Sequence, residues 1–315
     1  MQDIDPKKAQ EYLDSIDKKS GVNTIKDLPE SKQKSTISKP NDLGWKNIPL
    51  ENLPSKGKFY VDNFSLTIKS ATVAEIRHWS TIDETDMLSI DDQLNYILER
   101  CADVQIDGES VSWKELLEID RFFVIFKIQE LTFPNGENQL PHRFECACTE
   151  PKFSEKLPIE SSMLNVFDFP SELDAFYSET ERAYVVKSEK LNTEFNLFMP
   201  TLGTMNSLKD IIIELTAKGV TIDKAFVKIV PYLVGNWESL TTENYSVLNQ
   251  ESLSWNIPKF TFISKFADEI QKSKRQLLKA ECPKCGSKID SRIFLDSSFT
   301  VKDLFLISAG FSELV

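Results

Sequence analysis

The spacing of apolar positions changes along this chain, and each change marks an element. Phe64, Leu66 and Ile68 alternate with Ser65 and Thr67, the two-residue period of a half-buried strand. The period then lengthens. Thr72 and Glu75 form a capping box, in which the Thr side chain takes a first-turn amide and the Glu reaches back. The helix they open is expected to present Val73, Ile76 and Trp79 inward. A second helix is expected from near Asp91, because Leu94, Ile97, Leu98 and Cys101 recur at i, i+3, i+4 and i+7. That spacing puts Cys101 on an apolar face, as an inert core thiol. Asp107-Gly108 predicts a turn. The run Phe122, Phe123, Val124, Ile125, Phe126 and Ile128 predicts a buried helix over 119–131.

Residues 1–44 follow another rule. They hold Lys7-Lys8, Lys18-Lys19 and a Ser-, Lys- and Pro-rich stretch over 29–39, with few large apolar residues. Such a composition cannot offset its own ordering entropy, so a flexible N-terminal arm is expected. Its one helical pattern lies over 6–16, with Tyr12, Leu13 and Ile16 on one side. Order is expected from Trp45. Leu53-Pro54-Ser55-Lys56-Gly57-Lys58-Phe59-Tyr60 predicts a turn running into an aromatic strand start.

Beyond residue 140, strands are expected over 143–145 and 156–159, then an antiparallel pair over 183–186 and 194–197. The acidic stretch 172–181 reads as loop or exposed helix. Pro200-Thr201-Leu202-Gly203 predicts a break. Helices are expected over 208–217, closed by Gly219, over 223–230, stopped by Pro231, and after Pro258 with Phe262, Phe266 and Ile270 on one stripe. Short strands over 277–280 and 291–295 and a small apolar C-terminus at 303–307 and Phe311 complete the reading.

Composition narrows the chemistry. At 315 residues the chain has room for two domains, and 41% hydrophobic with 27% charged residues is the balance of a soluble globular protein. No apolar run is long enough to span a membrane, and Met1-Gln2-Asp3-Ile4-Asp5 does not open like a signal peptide. A reducing cytoplasm is therefore expected, where paired cysteines favour metal over disulfide. The net charge of −12 argues against nucleic acid as the main partner. The basic stretch 272–279 reads as a solvated helix face. With His78 and His142 the only histidines, acid–base catalysis has little to build on. Asp83-Glu84 and Asp91-Asp92 suit helix N-terminal turns. Phosphate-cradling and nucleophile-elbow motifs are absent, so neither enzyme activity nor a small-molecule substrate is expected.

The cysteines carry the remaining signal. Cys282-Pro283-Lys284-Cys285-Gly286 has the form of a zinc knuckle, two thiols two residues apart with a glycine free to take positive φ. A closed structural zinc site wants four ligands, and the chain offers one other pair, Cys146 and Cys148 around Ala147. The expected ligands of a structural Zn2+ are thus Cys146, Cys148, Cys282 and Cys285, with His142 as the alternative to one thiol. Reduced core thiols or a redox pair are the other readings. A redox C-x-x-C usually sits beside a βαβ pattern, and none precedes Cys282. The expected fold class is α+β, with an N-terminal α/β module over 45–140 and a two-knuckle clasp resembling a zinc ribbon. Residues 141–165 form the first half of that clasp and 275–315 its second half with the C-terminus. A mainly helical domain over 166–274 is inserted between them.

The order of these features resembles a known family. Leu53-Pro54-Ser55-Lys56-Gly57-Lys58-Phe59-Tyr60 is followed by Ile68, Thr72, the helical pattern from Leu94 to Cys101, the run from Asp120 to Ile128, and the first knuckle. A domain holding Phe195 to Pro200 and the second knuckle close the series. Over 45–300 the chain is similar to the baseplate hub and hub-assembly proteins of T-even-type contractile-tailed bacteriophages. The first knuckle departs from the family's usual C-x-x-C by being C-x-C. The resemblance implies a non-enzymatic virion assembly role through contacts with other tail baseplate or hub proteins. It implies a location in the tail baseplate, in the host cytoplasm during assembly, or both. The rival expectation is a zinc-ribbon regulatory or nucleic-acid-binding module. A metalloenzyme with an open zinc position is a third.

Overall fold

The computed structural model describes residues 44–133, 140–148, 153–159, 161–164, 169–188, 193–273, 277–292 and 301–305, together with Lys7 and Gln10, both helical. The expected N-terminal arm, apart from Lys7, Gln10 and Gly44, lies outside the described residues. The fold is α+β. Its described elements divide between two units, one built on Phe176–Asp268 and the other on Pro40–Ala175 with Glu269–Val315.

In the second unit, β1 (Lys46–Asn47), β2 (Phe64–Ile68), β3 (Ala102–Ile106) and β4 (Glu109–Val111) form an antiparallel sheet in that order. The expected turn at Asp107-Gly108 closes the β3–β4 hairpin. Its two residues take φ of 55° and 80°, the doubly positive geometry that twists with the strands. Between β2 and β3 run α1 (Val73–Trp79) and α2 (Met87–Cys101), and α3 (Arg121–Thr132) follows the sheet. The Thr72–Glu75 capping box forms, with the Thr72 amide donating to Glu75 at 2.8 Å. Val73, however, is 70% exposed and Glu75 is buried in its place. The helix begins too early to turn its first residue inward. Likewise α2 starts at Met87, capped by Asp86, rather than near Asp91. Asp91 serves instead as the partner of Arg121, at 2.7 Å. The apolar stripe itself holds, since Ile97, Leu98 and Cys101 are fully buried.

Residues 53–60 do not run straight into a strand. They make successive turns, with Lys56 and Gly57 at φ of 56° and 75°, and β2 opens only at Phe64. The tightness has a cause. The Ser55 amide donates to one oxygen of Asp120 at 2.8 Å, and the Tyr60 hydroxyl donates to the other at 2.8 Å. The same hydroxyl accepts from the Leu117 amide at 2.9 Å. Ser55 and Asp120 are both wholly buried. Gly57 is favoured by its positive φ, and a Cβ there would also press on Leu50 at 3.0 Å.

Two hairpins carry the cysteines: β5 (Leu140–Cys146) with β6 (Phe153–Ile159), and, after the other unit, a pair described below. In the first-named unit, β7 (Tyr177–Ser178), β8 (Ala183–Ser188) and β9 (Thr193–Leu197) form a three-stranded antiparallel sheet. Helices α4 (Leu202–Ala217), α5 (Lys224–Ile229), α6 (Thr242–Ser252) and α7 (Ile257–Ser273) follow, the last running past the boundary between the units. The expected break at 200–203 is instead the start of α4: Thr201 caps it through the Thr204 amide at 3.1 Å. Gly203 belongs inside this helix because the Trp237 ring occupies the position a Cβ would take, 2.4 Å away. Gly219 does close α4, with the paired bonds from Gly219 to Thr216 and from Val220 to Leu215 of a Schellman ending. Pro231 sits within a 3-10 turn, Val230–Tyr232, that continues from α5. Helix α6 was not legible in the pattern, since Tyr245 and Ser252 are its buried residues. The acidic stretch holds the 3-10 turn Ser171–Phe176 and then β7. Tyr184, Tyr232 and Phe266 meet edge to face, with centroids 5.1 and 5.5 Å apart, at the core of this unit.

Candidate metal centre

The second knuckle sits on β10 (Leu277–Glu281) and β11 (Lys288–Arg292), which pair from Leu277↔Arg292 to Glu281↔Lys288. The strand starts at Lys288, ahead of the expected 291–295, of which 293–295 lie outside the described residues. Pairing up to Glu281 and Lys288 leaves 282–287 to turn the chain. The Cys282 amide donates to the Ser287 carbonyl at 2.9 Å and the Gly286 amide to the Cys282 carbonyl at 2.8 Å. Gly286 takes φ of 67°, the conformation for which a glycine is favoured after the second thiol. The tight loop turns Cys282 and Cys285 toward one point.

The first knuckle is built differently. Strand alternation places Phe144 and Cys146 on one face of β5, and both are buried. Cys146, the last residue of β5, stands opposite Phe153. Two residues on, past the strand end, Cys148 is exposed. The C-x-C spacing therefore works because its first thiol is delivered by a strand and its second by the turn.

Despite their separation in sequence, the two knuckles meet. Cys146 Sγ lies 3.6 Å from Cys285 Sγ, and Cys148 Sγ lies 3.8 Å from Cys282 Sγ. All four sulfurs lie within 4.8 Å of one another. These are not disulfide distances, which are about 2.05 Å. They match a tetrahedron of sulfurs at about 2.3 Å from a central metal, whose edge is about 3.8 Å. Four cysteines thus form a cluster that can hold a metal ion. Strand β11 packs against β5, and β10 against the turn Ser161–Leu164, so backbone contacts support the approach of the thiols.

The thiols also perturb one another. Hydrogen bonds from the Ser287 hydroxyl and amide, and then from Cys146, hold the Cys285 thiol down at about 6. Cys285 Sγ is 3.1 Å from Ser287 Oγ. Cys148 is pushed up to about 12, first by its hydrogen bond to Cys146 and further by those to Cys285 and Cys282. One negative charge is stabilised in the cluster and a second beside it is resisted; a divalent cation at the centre reverses that resistance. Sequence reasoning did not name Ser287. Its signal would have been a hydroxyl two residues past the second thiol, within reach of the turn's interior.

The other sequence candidates do not join this cluster. Cys101 is buried in α2, and burial pushes its thiol up to about 11. His142 lies in β5 opposite Leu157, and its side chain lies outside the described residues. His78 is exposed, its ring 3.9 Å from that of Tyr96. Asp83 accepts from the Thr85 amide at 2.9 Å. Lys272, in the basic stretch, pairs with Glu269 at 2.5 Å. Burial raises the Asp120 carboxyl to about 6, but both its oxygens are engaged inside the core.

No protein-family model, curated protein or solved structure matches the chain. Among the described residues no helix is long and apolar enough to cross a membrane.

Proposed function

We propose that this chain is a non-enzymatic subunit or assembly factor of a contractile phage tail baseplate hub, with the four cysteines holding a structural zinc. The convergence of Cys146, Cys148, Cys282 and Cys285 carries the metal part of this reading, and the order of motifs from Leu53 to the second knuckle carries the baseplate part. Four thiolates at tetrahedral spacing suit zinc, which has no geometric demand beyond four soft ligands. Four protein ligands leave no open position for a water, so the metal holds the fold together and activates no substrate. A second observation supports the family resemblance. The Leu53 to Tyr60 signature and the run from Asp120 are separate landmarks in sequence, yet Ser55, Tyr60 and Asp120 form one buried network. The partners under this reading are other tail baseplate or hub proteins, and the location is the baseplate or the host cytoplasm during assembly. Co-purification from infected cells tests it: other tail proteins are expected to come with the tagged chain. Its isolation free of them, with tails assembling normally in its absence, overturns the proposal.

Exposed Lys284 and Lys288 beside the second knuckle favour one alternative, a zinc-ribbon module that binds nucleic acid. That reading requires salt-dependent binding of a duplex or single strand, weakened by Lys288→Glu. The net charge of −12 stands against it.

A further inference from the structure

The four cysteines are not equivalent, and the difference bears on oxidation. Cys146 and Cys282 are buried, at 6% and 1% exposure, whereas Cys148 and Cys285 are exposed. Each of the two short sulfur contacts joins one thiol of each kind. The exposed Cys285 stands 3.6 Å from the buried Cys146, and the exposed Cys148 stands 3.8 Å from the buried Cys282. Both contacts also cross from one hairpin to the other, since Cys146 ends β5 and Cys282 follows the last residue of β10. To become a disulfide, a pair must close to about 2.05 Å, a shift of roughly 1.6–1.8 Å shared between two side chains. Local pairing, Cys146 with Cys148 and Cys282 with Cys285, would leave the hairpins unlinked. The choice of partner therefore decides whether oxidation locks the clasp or opens it.

We propose that the cluster is a site of oxidative modification by hydroperoxides, which replace the metal with two disulfides across the hairpins, Cys146–Cys285 and Cys148–Cys282. The inference rests on the metal reading only for its starting state, because the pairing follows from the sulfur positions themselves. The exposed thiolate of a pair attacks one peroxide oxygen, the O–O bond breaks and hydroxide leaves, giving a sulfenic acid. The buried sulfur then attacks the sulfenic sulfur, forming the S–S bond and expelling the second oxygen as hydroxide. Each pair loses two electrons and one hydrogen peroxide gains them. Zinc takes no electrons and leaves as Zn2+, because the thiolate, not the disulfide, is its ligand. The oxidised chain keeps its hairpins joined, by covalent bonds in place of the ion. Cys101, wholly buried in α2, takes no part.

The test treats the full-length chain, as purified, with two equivalents of hydrogen peroxide and maps its disulfides by non-reducing mass spectrometry. Links between Cys146 and Cys285 and between Cys148 and Cys282 are expected, with zinc released in step to a colorimetric chelator. Cys101 is expected to remain the one thiol alkylated after unfolding. Hydrogen-exchange protection of both hairpins should survive the loss of zinc, and dithiothreitol should restore zinc uptake. In Cys148→Ser the Cys146–Cys285 link is expected to form alone; a Cys282–Cys285 link there overturns the proposal. Local disulfides in the wild-type chain, sulfinic acids in place of disulfides, or thiols left reduced overturn it as well. The metal reading fails separately: a chain purified without zinc that still forms the cross-hairpin links overturns that reading and supports this one.

Discussion

The front module and the cysteine hairpins belong to one unit, yet they are held by opposite means. The module around β1–β4 buries Leu66, Ile97, Leu98, Val124 and Phe126 and wraps its turns onto the carboxylate of Asp120. The hairpins β5–β6 and β10–β11 are two-stranded ribbons, each paired with no third strand among the described residues. A lone two-stranded hairpin is marginal in water. On the proposed reading, a metal held by the four sulfurs supplies what a core would otherwise supply. Where burial is plentiful the polar atoms are internal and neutralised by hydrogen bonds; where it is scarce, that reading has the chain turn to ligand chemistry.

The largest effect expected from this contrast is on metal loss. Cys282→Ser should abolish a zinc content of about one per chain. Structural zinc contributes on the order of 10 kcal/mol to small zinc domains, so both hairpins should lose hydrogen-exchange protection together. The front module should keep its protection. Hairpins that stay protected without metal would erase the contrast.

Next comes Asp120→Ala. It leaves the Ser55 amide and the Tyr60 hydroxyl without their buried acceptor, at a cost of about 3–4 kcal/mol at pH 5. A urea titration should show the loss, with zinc content unchanged. A fall in zinc would mean that the two regions are one cooperative structure.

Acidity should drive the two regions in opposite directions. Burial raises Asp120 from 3.8 to about 6, so the folded chain holds this proton more tightly than the unfolded chain does. Its contribution is fully present below about pH 4 and is lost as pH rises through about 6, amounting to about 3 kcal/mol at most. Metal binding to thiols has the other sign, because each ligand must shed its proton, and so it weakens as pH falls. Comparing wild type with Asp120→Asn between pH 4 and 7 isolates the first trend, since the variant should lack it. Parallel stability profiles for the two proteins would refute the assignment.

The smallest effect expected is that of Cys101→Ser, about 1–2 kcal/mol for burying a hydroxyl where a thiol packed, with zinc retained. Loss of zinc in this variant would place Cys101 among the ligands after all.

What could be read from sequence follows the same division. The stripe Leu94, Ile97, Leu98 and Cys101 announced α2, and the capping box announced α1, because both signals are local. The four cysteines were legible as a set because ligand chemistry is counted by type and number. The hub at Asp120 was not, since nothing near position 120 indicates that Ser55 and Tyr60 will close on it. Gly203 misled for a related reason: its role is space for Trp237, a partner more than thirty positions away, and a glycine after a proline looks locally like a break. Helix α6 escaped because it buries little, and its exposed Val247 faces outward, against the amphipathic rule.

The separation of the two knuckles has a consequence for the chain's birth. Cys148 and its partner Cys282 stand 134 positions apart. At roughly 5–20 residues per second, synthesis takes on the order of ten seconds to bring the second after the first. Throughout that interval the β5–β6 ribbon emerges with half a ligand set, and the whole of Phe176–Asp268 is made before Cys282 exists. The nascent chain thus carries two thiols that any passing metal or oxidant can reach, well before Cys282 and Cys285 are made.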